Sequence, residues 1–199
     1  MINIFKKIDK KKIILFGEIH GTKEIPNLLL DFFSNLSKKE SFNVCFEIPS
    51  NHDNFFTNKN QRDGRNSLEY FNLINKLKRL KNVKIYFIDI NDEKDIKNRD
   101  KIIADNIIKA IDKNKTFAVL GNIHASKNKI IIGNVNLIPA GFLIHENLGE
   151  KMCSVLLKAK KGEFFNNGLK KITYRKDDTF DKGFDYSYEI NEVSPCSFL

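Results

Sequence analysis

The hydrophobic pattern opens with a run, Ile13-Ile14-Leu15-Phe16, that has no polar alternation and stops at Gly17. Such a run reads as a strand buried on both faces, the kind a parallel sheet requires. Ile25, Leu29, Phe32, Phe33 and Leu36 then recur at helical spacing to about residue 38, with Pro26 suited to the first turn. Residues 42–46 form a second short strand before Pro49. Residues 68–80 predict a helix with Tyr70, Leu73, Ile74 and Leu77 on one stripe, and residues 83–88 a third strand. Residues 92–112 predict one helix, with Ile103, Ile107, Ala110 and Ile111 as its apolar stripe and acids near its start that suit the dipole. A fourth strand, 116–120, ends at Gly121. Four strand–helix alternations predict an α/β fold: a mainly parallel sheet, helices on both faces in three layers, and right-handed crossovers.

Beyond residue 128 the pattern is weaker. It gives a short strand at 130–132, a helix at 139–148 stopped by Gly149, a strand at 153–158 and an edge strand at 172–174. This predicts a single α/β domain over residues 1–175. An acidic, aromatic tail follows at 176–199, with Phe180, Phe184, Tyr186, Tyr188 and Phe198. The tail has two readings, packing back on the domain or contacting a protein partner. Residues 50–66 are polar, rich in Asn, Asp and Arg, and long for a connection, which predicts a lid over the site.

Composition narrows the class. The 199 residues carry 34 basic against 25 acidic side chains, net +9. Of the basic residues 29 are Lys and only 5 Arg, and the lysines are spread along the chain, so the charge reads as solvated surface and no nucleic-acid stripe is expected. No apolar run approaches the roughly 20 residues of a spanning helix, and no signal-type segment is evident, so neither a membrane partner nor export is expected. Cys45, Cys153 and Cys196 are odd in number and far apart. That argues against a disulfide framework or a cysteine zinc module and for a reduced, cytoplasmic setting.

In a parallel sheet the carboxyl ends of the strands share one edge, where ligands bind. Each predicted strand delivers an acid or a histidine there: Gly17-Glu18-Ile19-His20-Gly21, Phe46-Glu47, Ile88-Asp89 and Gly121-Asn122-Ile123-His124. Charges at four strand ends in register are costly if merely buried, which points to a functional edge. Glu18 and His20 share a face if the chain stays extended, and a glutamate beside an imidazole raises its basicity and fixes its tautomer. Gly17 and Gly21 would let a substrate approach, and Asp89 and Asn122 are further candidates for substrate contacts. Arg99, beside Asp100, either holds a site carboxylate and a developing oxyanion or is a surface arginine paired to Glu93 or Asp95. His52, in the long loop, and His145, in the late helix, are read as non-site histidines, and Cys45 as a small core residue. No P-loop or HExxH motif is present.

In order along the chain, Gly17-Glu18-Ile19-His20-Gly21, Phe46-Glu47, Asp89, Arg99-Asp100 with Ala104-Asp105-Asn106, and Gly121-Asn122-Ile123-His124-Ala125 resemble the motifs of the erythromycin esterase and ChaN-like superfamily, which includes Tiki-type membrane metalloproteases. Residues 139–157, with Leu143, Leu148-Gly149 and Ser154-Val155-Leu156, resemble the stretch after the second histidine in esterase-like members. The resemblance covers roughly residues 11–160. It implies one cleft lined by Glu18, His20, Glu47, Arg99 and His124. It also implies three chemistries: a histidine that activates water without a metal, a divalent metal on the glutamate and histidine positions, or bound haem. The expected function is hydrolysis of an ester or amide in a small molecule or peptide. His20 would be the base, Glu18 or Glu47 its orienting carboxylate, and His124 with Arg99 the oxyanion site. The metal version (Zn, Mn, Co or Fe) would use His20, His124 and Glu18 or Glu47 as ligands, with water in the fourth position. The alternative is a non-catalytic protein binding haem or another ligand.

Overall fold

A computed structural model describes residues 7–51, 55–57, 63–173 and 179–199. The first half follows the predicted alternation: β1 (Ile13–Glu18), α1 (Glu24–Leu36), β2 (Phe42–Pro49), α2 (Leu68–Lys78), β3 (Val83–Asp89), α3 (Arg99–Lys109) and β4 (Lys115–Gly121). A one-turn helix, α4 (Asn122–Ala125), follows, then the hairpin β5 (Ile130–Ile132) and β6 (Val135–Leu137), then α5 (Ala140–Leu148) and β7 (Met152–Ala159). A second hairpin, β8 (Glu163–Phe165) and β9 (Leu169–Lys171), leads by way of a 3₁₀ turn to β10 (Tyr186–Ile190).

The central sheet has six strands in the order β10-β7-β1-β4-β2-β3, and every neighbouring pair is parallel. Both faces are covered, which is why the inner strands lack polar alternation. Ile14 and Phe16 of β1, with Phe117 and Val119 of β4, face the core under α1 and α2. Ile13 and Leu15, with Ala118 and Leu120, face the core under α3 and α5. The first core is aromatic: Phe16, Phe33, Phe42 and Phe117 are fully buried, and Phe33 meets Phe117 edge-on at 5.4 Å between centroids. The mainly parallel three-layer α/β architecture read from the sequence is the one observed.

Three expectations change. The single helix at 92–112 is two elements, a 3₁₀ segment (Glu93–Asn98) and then α3. Asp92 caps the 3₁₀ segment by accepting from the Lys94 amide, and the segment has no apolar stripe to bury, so nothing continues α3 backwards. The edge strand expected at 172–174 is displaced to β9, which pairs only with β8, and Tyr174 lies outside the described residues. Residues 186–190, placed by the sequence in a tail, are the sixth strand of the sheet, paired in register from Tyr186↔Val155 to Ile190↔Ala159. Tyr186, Tyr188 and Ile190 alternate with Ser187 and Glu189, and the apolar set packs on the first core.

Candidate active site

β1, β4, β2 and β3 are consecutive in the sheet and parallel, so their carboxyl ends meet at one edge. Glu18 closes β1 directly opposite Gly121 of β4, Glu47 sits near the end of β2, and Asp89 ends β3. Two helix starts complete the edge: α3 opens with Arg99 and Asp100, and α4 carries His124.

Glu47 is the centre of the cluster and is 3% exposed. Its Oε2 accepts from the Gly121 amide at 2.6 Å. Its Oε1 accepts from Arg99 Nη2 at 2.5 Å and Arg65 Nη1 at 3.3 Å. The same oxygen lies 3.7 Å from His20 Nε2 and 3.8 Å from His124 Nε2. Each imidazole is held from behind by a carboxylate. His20 Nδ1 pairs with Glu18 Oε1, and His124 Nδ1 lies 2.8 Å from Asp100 Oδ1. Arg99 Nη1 lies 3.1 Å from His124 Nε2, a hydrogen bond when that nitrogen presents its lone pair and Nδ1–H is given to Asp100.

Asp89 anchors both guanidiniums. It takes Arg99 Nε at 2.7 Å and Nη2 at 2.8 Å, and Arg65 Nη1 at 2.6 Å. Asp63 holds the other side of Arg65, at 3.1 Å from Nε and 2.5 Å from Nη2.

These contacts set the ionisation. Burial works to raise the Glu47 pKa, but His124, His20 and Arg65 outweigh it and hold the carboxyl well below the usual range. Burial works to lower His20, but Glu18 and then Glu47 overcome it and push the imidazole up to about 10. His124 is raised in the same way, against burial, by Glu47 and Asp100, with Arg99 opposing. Tyr70, buried, donates its hydroxyl to Glu18 Oε1 at 2.6 Å; burial and then Glu18 hold it well above 10, so it stays protonated.

Glu18, His20, Glu47, Arg99 and His124 therefore converge. With Ile19, Asn122, Ile123, Phe164 and Lys171 they line a cleft of about 530 Å³. Asp89 sits beneath the arginines and is not among the residues lining that cleft. Gly17 and Gly21 do not line it either. A Cβ on Gly17 would lie 2.7 Å from the Phe184 ring, and Gly21, at φ 81°, is pressed against the Phe165 carbonyl, so both serve packing. Arg99 is half-buried in the cluster with its guanidinium on Glu47 and Asp89, and is not a surface arginine. His145 lies on α5 outside the cleft lining, and His52 lies outside the described residues. Of the connection expected to form a lid, residues 52–54 and 58–62 are likewise outside them; its described end brings in Asp63 and Arg65.

The sequence reading gave no role to Arg65, Asp63, Tyr70 or Asp100. Arg65 carried a signal, being one of 5 arginines among 34 basic residues. Tyr70 carried none, since it stands on the apolar stripe of α2 like a core residue. The cysteines are free and buried.

With both guanidiniums in place the cluster does not fit a divalent ion. The space between the two Nε2 atoms and Glu47 Oε1 is bordered by both guanidiniums. The donors are already engaged: Glu47 Oε1 accepts from Arg99 Nη2 and Arg65 Nη1, and His124 Nε2 faces Arg99 Nη1. Among the described residues no group of three or more His, Cys, Asp or Glu is arranged to hold a metal ion. Haem fits no better, because the cleft floor is ionic where a porphyrin needs an apolar slot.

This is the architecture of a parallel α/β protein whose charged cleft lies at the carboxyl edge of the sheet. No family model matches the sequence, and no curated protein does. Solved structures share the fold. One, described as a succinoglycan biosynthesis protein, superposes with a TM-score of 0.76 at 12% identity over 98% of this chain and 91% of its own. A protein from Bacillus cereus gives 0.72 at 12% identity over 100% and 94%. An erythromycin esterase mutant in its open conformation gives 0.60 at 10% identity over 88% and 80%. Among the described residues no helix is long and apolar enough to cross a membrane.

Proposed function

We propose that the protein is a metal-independent hydrolase of esters or amides in small molecules or peptides. The observation that carries the reading is the pair of carboxylate-backed imidazoles facing each other across Glu47, with Arg99 Nη1 beside the second. His20, with Nδ1–H directed to Glu18, uses Nε2 to take a proton from water as the water oxygen attacks the substrate carbonyl. The resulting oxyanion is held by Arg99 Nη1 and by Nε2–H of His124 in its protonated form, which Glu47 and Asp100 favour. Collapse of the intermediate expels the alcohol or amine, which takes the proton back from His20 Nε2. Glu47 fixes both arginine and imidazole and does not enter the proton transfer. The esterase fold neighbour supports the ester side of the reading, and a cleft of about 530 Å³ suits a small substrate.

The test is turnover on panels of small esters and amides. His20→Ala should lower kcat/KM about 100-fold or more, and Arg99→Ala about 100-fold. Unchanged turnover in His20→Ala would end the assignment. Because the base must be neutral and His20 titrates at about 10, kcat/KM should rise about tenfold per pH unit from pH 7 towards that value.

A further inference from the structure

We infer that Arg65 and Arg99 act together as a resident pair of cations in the place a divalent ion would take, and that their removal converts the cleft into a metal site. The inference concerns the cation chemistry of the cleft and holds whether or not the proposed hydrolysis is found.

The cleft has most of what a metal centre needs. Two imidazoles present Nε2 to one carboxylate oxygen, at 3.7 Å and 3.8 Å. Each has the backing carboxylate, Glu18 or Asp100, that usually orients a metal-bound histidine. Two imidazoles and a glutamate make the three-ligand set of an open zinc-type site. What differs is the charge between and below them. Arg99 spans the cluster, with Nη2 on Glu47, Nε and Nη2 on Asp89 and Nη1 on His124. Arg65 adds a second guanidinium, its Nη1 reaching Glu47 Oε1, the Glu47 carbonyl and Asp89. Both guanidiniums lie on the same two carboxylates, so together they supply the two positive charges of a divalent ion in planar, hydrogen-bonded form. Arg65 comes from the connection between β2 and α2. Gly64 before it packs its backbone on Gly21, where a Cβ would stand 2.3 Å from the Gly21 nitrogen. The turn before the arginine is thus packed on the turn that follows His20.

The experiment compares purified wild-type protein with Arg65→Ala/Arg99→Ala by metal analysis, and by thermal unfolding with Zn(II) or Mn(II) against a chelator. Wild type should hold no ion in the cleft and keep its Tm. The double variant, with no guanidinium on Glu47 or Asp89, should take up a single ion. Its Tm should then rise by about 5–10 °C at a hundredfold excess over Kd, and adding His20→Ala should abolish the gain. Arg65→Lys/Arg99→Lys, which keeps both charges, should stay without metal. A wild-type protein that binds an ion in a manner lost on His20→Ala overturns the inference. So does a folded double variant that binds none, or a lysine variant that binds one. If the double variant does not fold in either condition, Arg99→Ala decides by the same criterion.

Discussion

Glu18 spends one oxygen on two partners. Tyr70 Oη and His20 Nδ1 both address Oε1, while Oε2 is buried with no hydrogen-bond partner among the described residues. The phenol therefore draws off part of the negative charge that makes His20 basic. Tyr70→Phe removes that donor, so the His20 pKa and the rising limb of the kcat/KM profile should both move up, by about one unit. A profile that stays in place would reduce Tyr70 to packing. At Glu47 the effect has the opposite sign. Glu47→Gln takes away an anion next to both imidazoles, so the limb should shift to lower pH. The same change leaves two buried guanidiniums short of a partner, and chemical denaturation should report a loss of about 3 kcal/mol.

Two pieces of backbone decide whether these side chains meet. Gly121, at the end of β4, lies under His20: a Cβ there would be 2.9 Å from Nε2, and its amide already holds Glu47. Gly121→Ala should displace the imidazole and lower kcat with little change in Tm, because the obstacle is the far end of a side chain. The second piece is the C-terminal stretch after β10. Cys196 N donates to Gly21 O at 2.9 Å, Leu68 N donates to Ser197 O at 2.8 Å, and Phe198 packs edge-on against Phe165 at 4.9 Å. This stretch ties the turn after His20 to the start of α2, where the Ser67 hydroxyl caps the helix by accepting from Tyr70 N at 3.3 Å. Deleting residues 192–199 should lower Tm and turnover together, read by calorimetry and by the ester assay.

For the molecule as a whole, the cluster couples folding to pH. His20 is raised from 6.5 to about 10 on folding, so the stability it contributes is complete below pH 6.5 and lost as pH rises through about 10. Glu47 is lowered from 4.5, so its contribution is complete above pH 4.5 and lost as pH falls through its depressed value. Tm against pH should therefore fall off on both sides of a plateau; His20→Ala should reduce the alkaline limb, leaving the part that His124 contributes, and should weaken the acid limb through the loss of a cation beside Glu47. An alkaline limb unchanged in His20→Ala and also in the His20→Ala/His124→Ala double variant would place its origin elsewhere in the protein.

The runs 13–16, 42–46, 83–88 and 116–120 were legible as strands because they are short and mostly apolar, as a sheet covered on both faces needs, with only Asn43, Lys84 and Thr116 as polar members. Glu18, His20, Glu47, Asp89 and His124 were legible with them, since charge directly after such a run has no place in a core. The strand at 186–190 was harder to see, because an edge strand covered on one face alternates and resembles a loop with tyrosines. Arg65, Tyr70 and Asp100 were not legible in their roles. They come from a connection, a helix stripe and a helix start, and no local pattern says which strand end they will face. The sequence by itself determined the layers and the residues at the sheet edge, because burial and periodicity are local properties. The tertiary structure alone decided that both arginines lie on Glu47 and Asp89, and so how the imidazoles titrate and whether a metal is excluded, because electrostatic energy depends on distances between charges that the chain order does not contain.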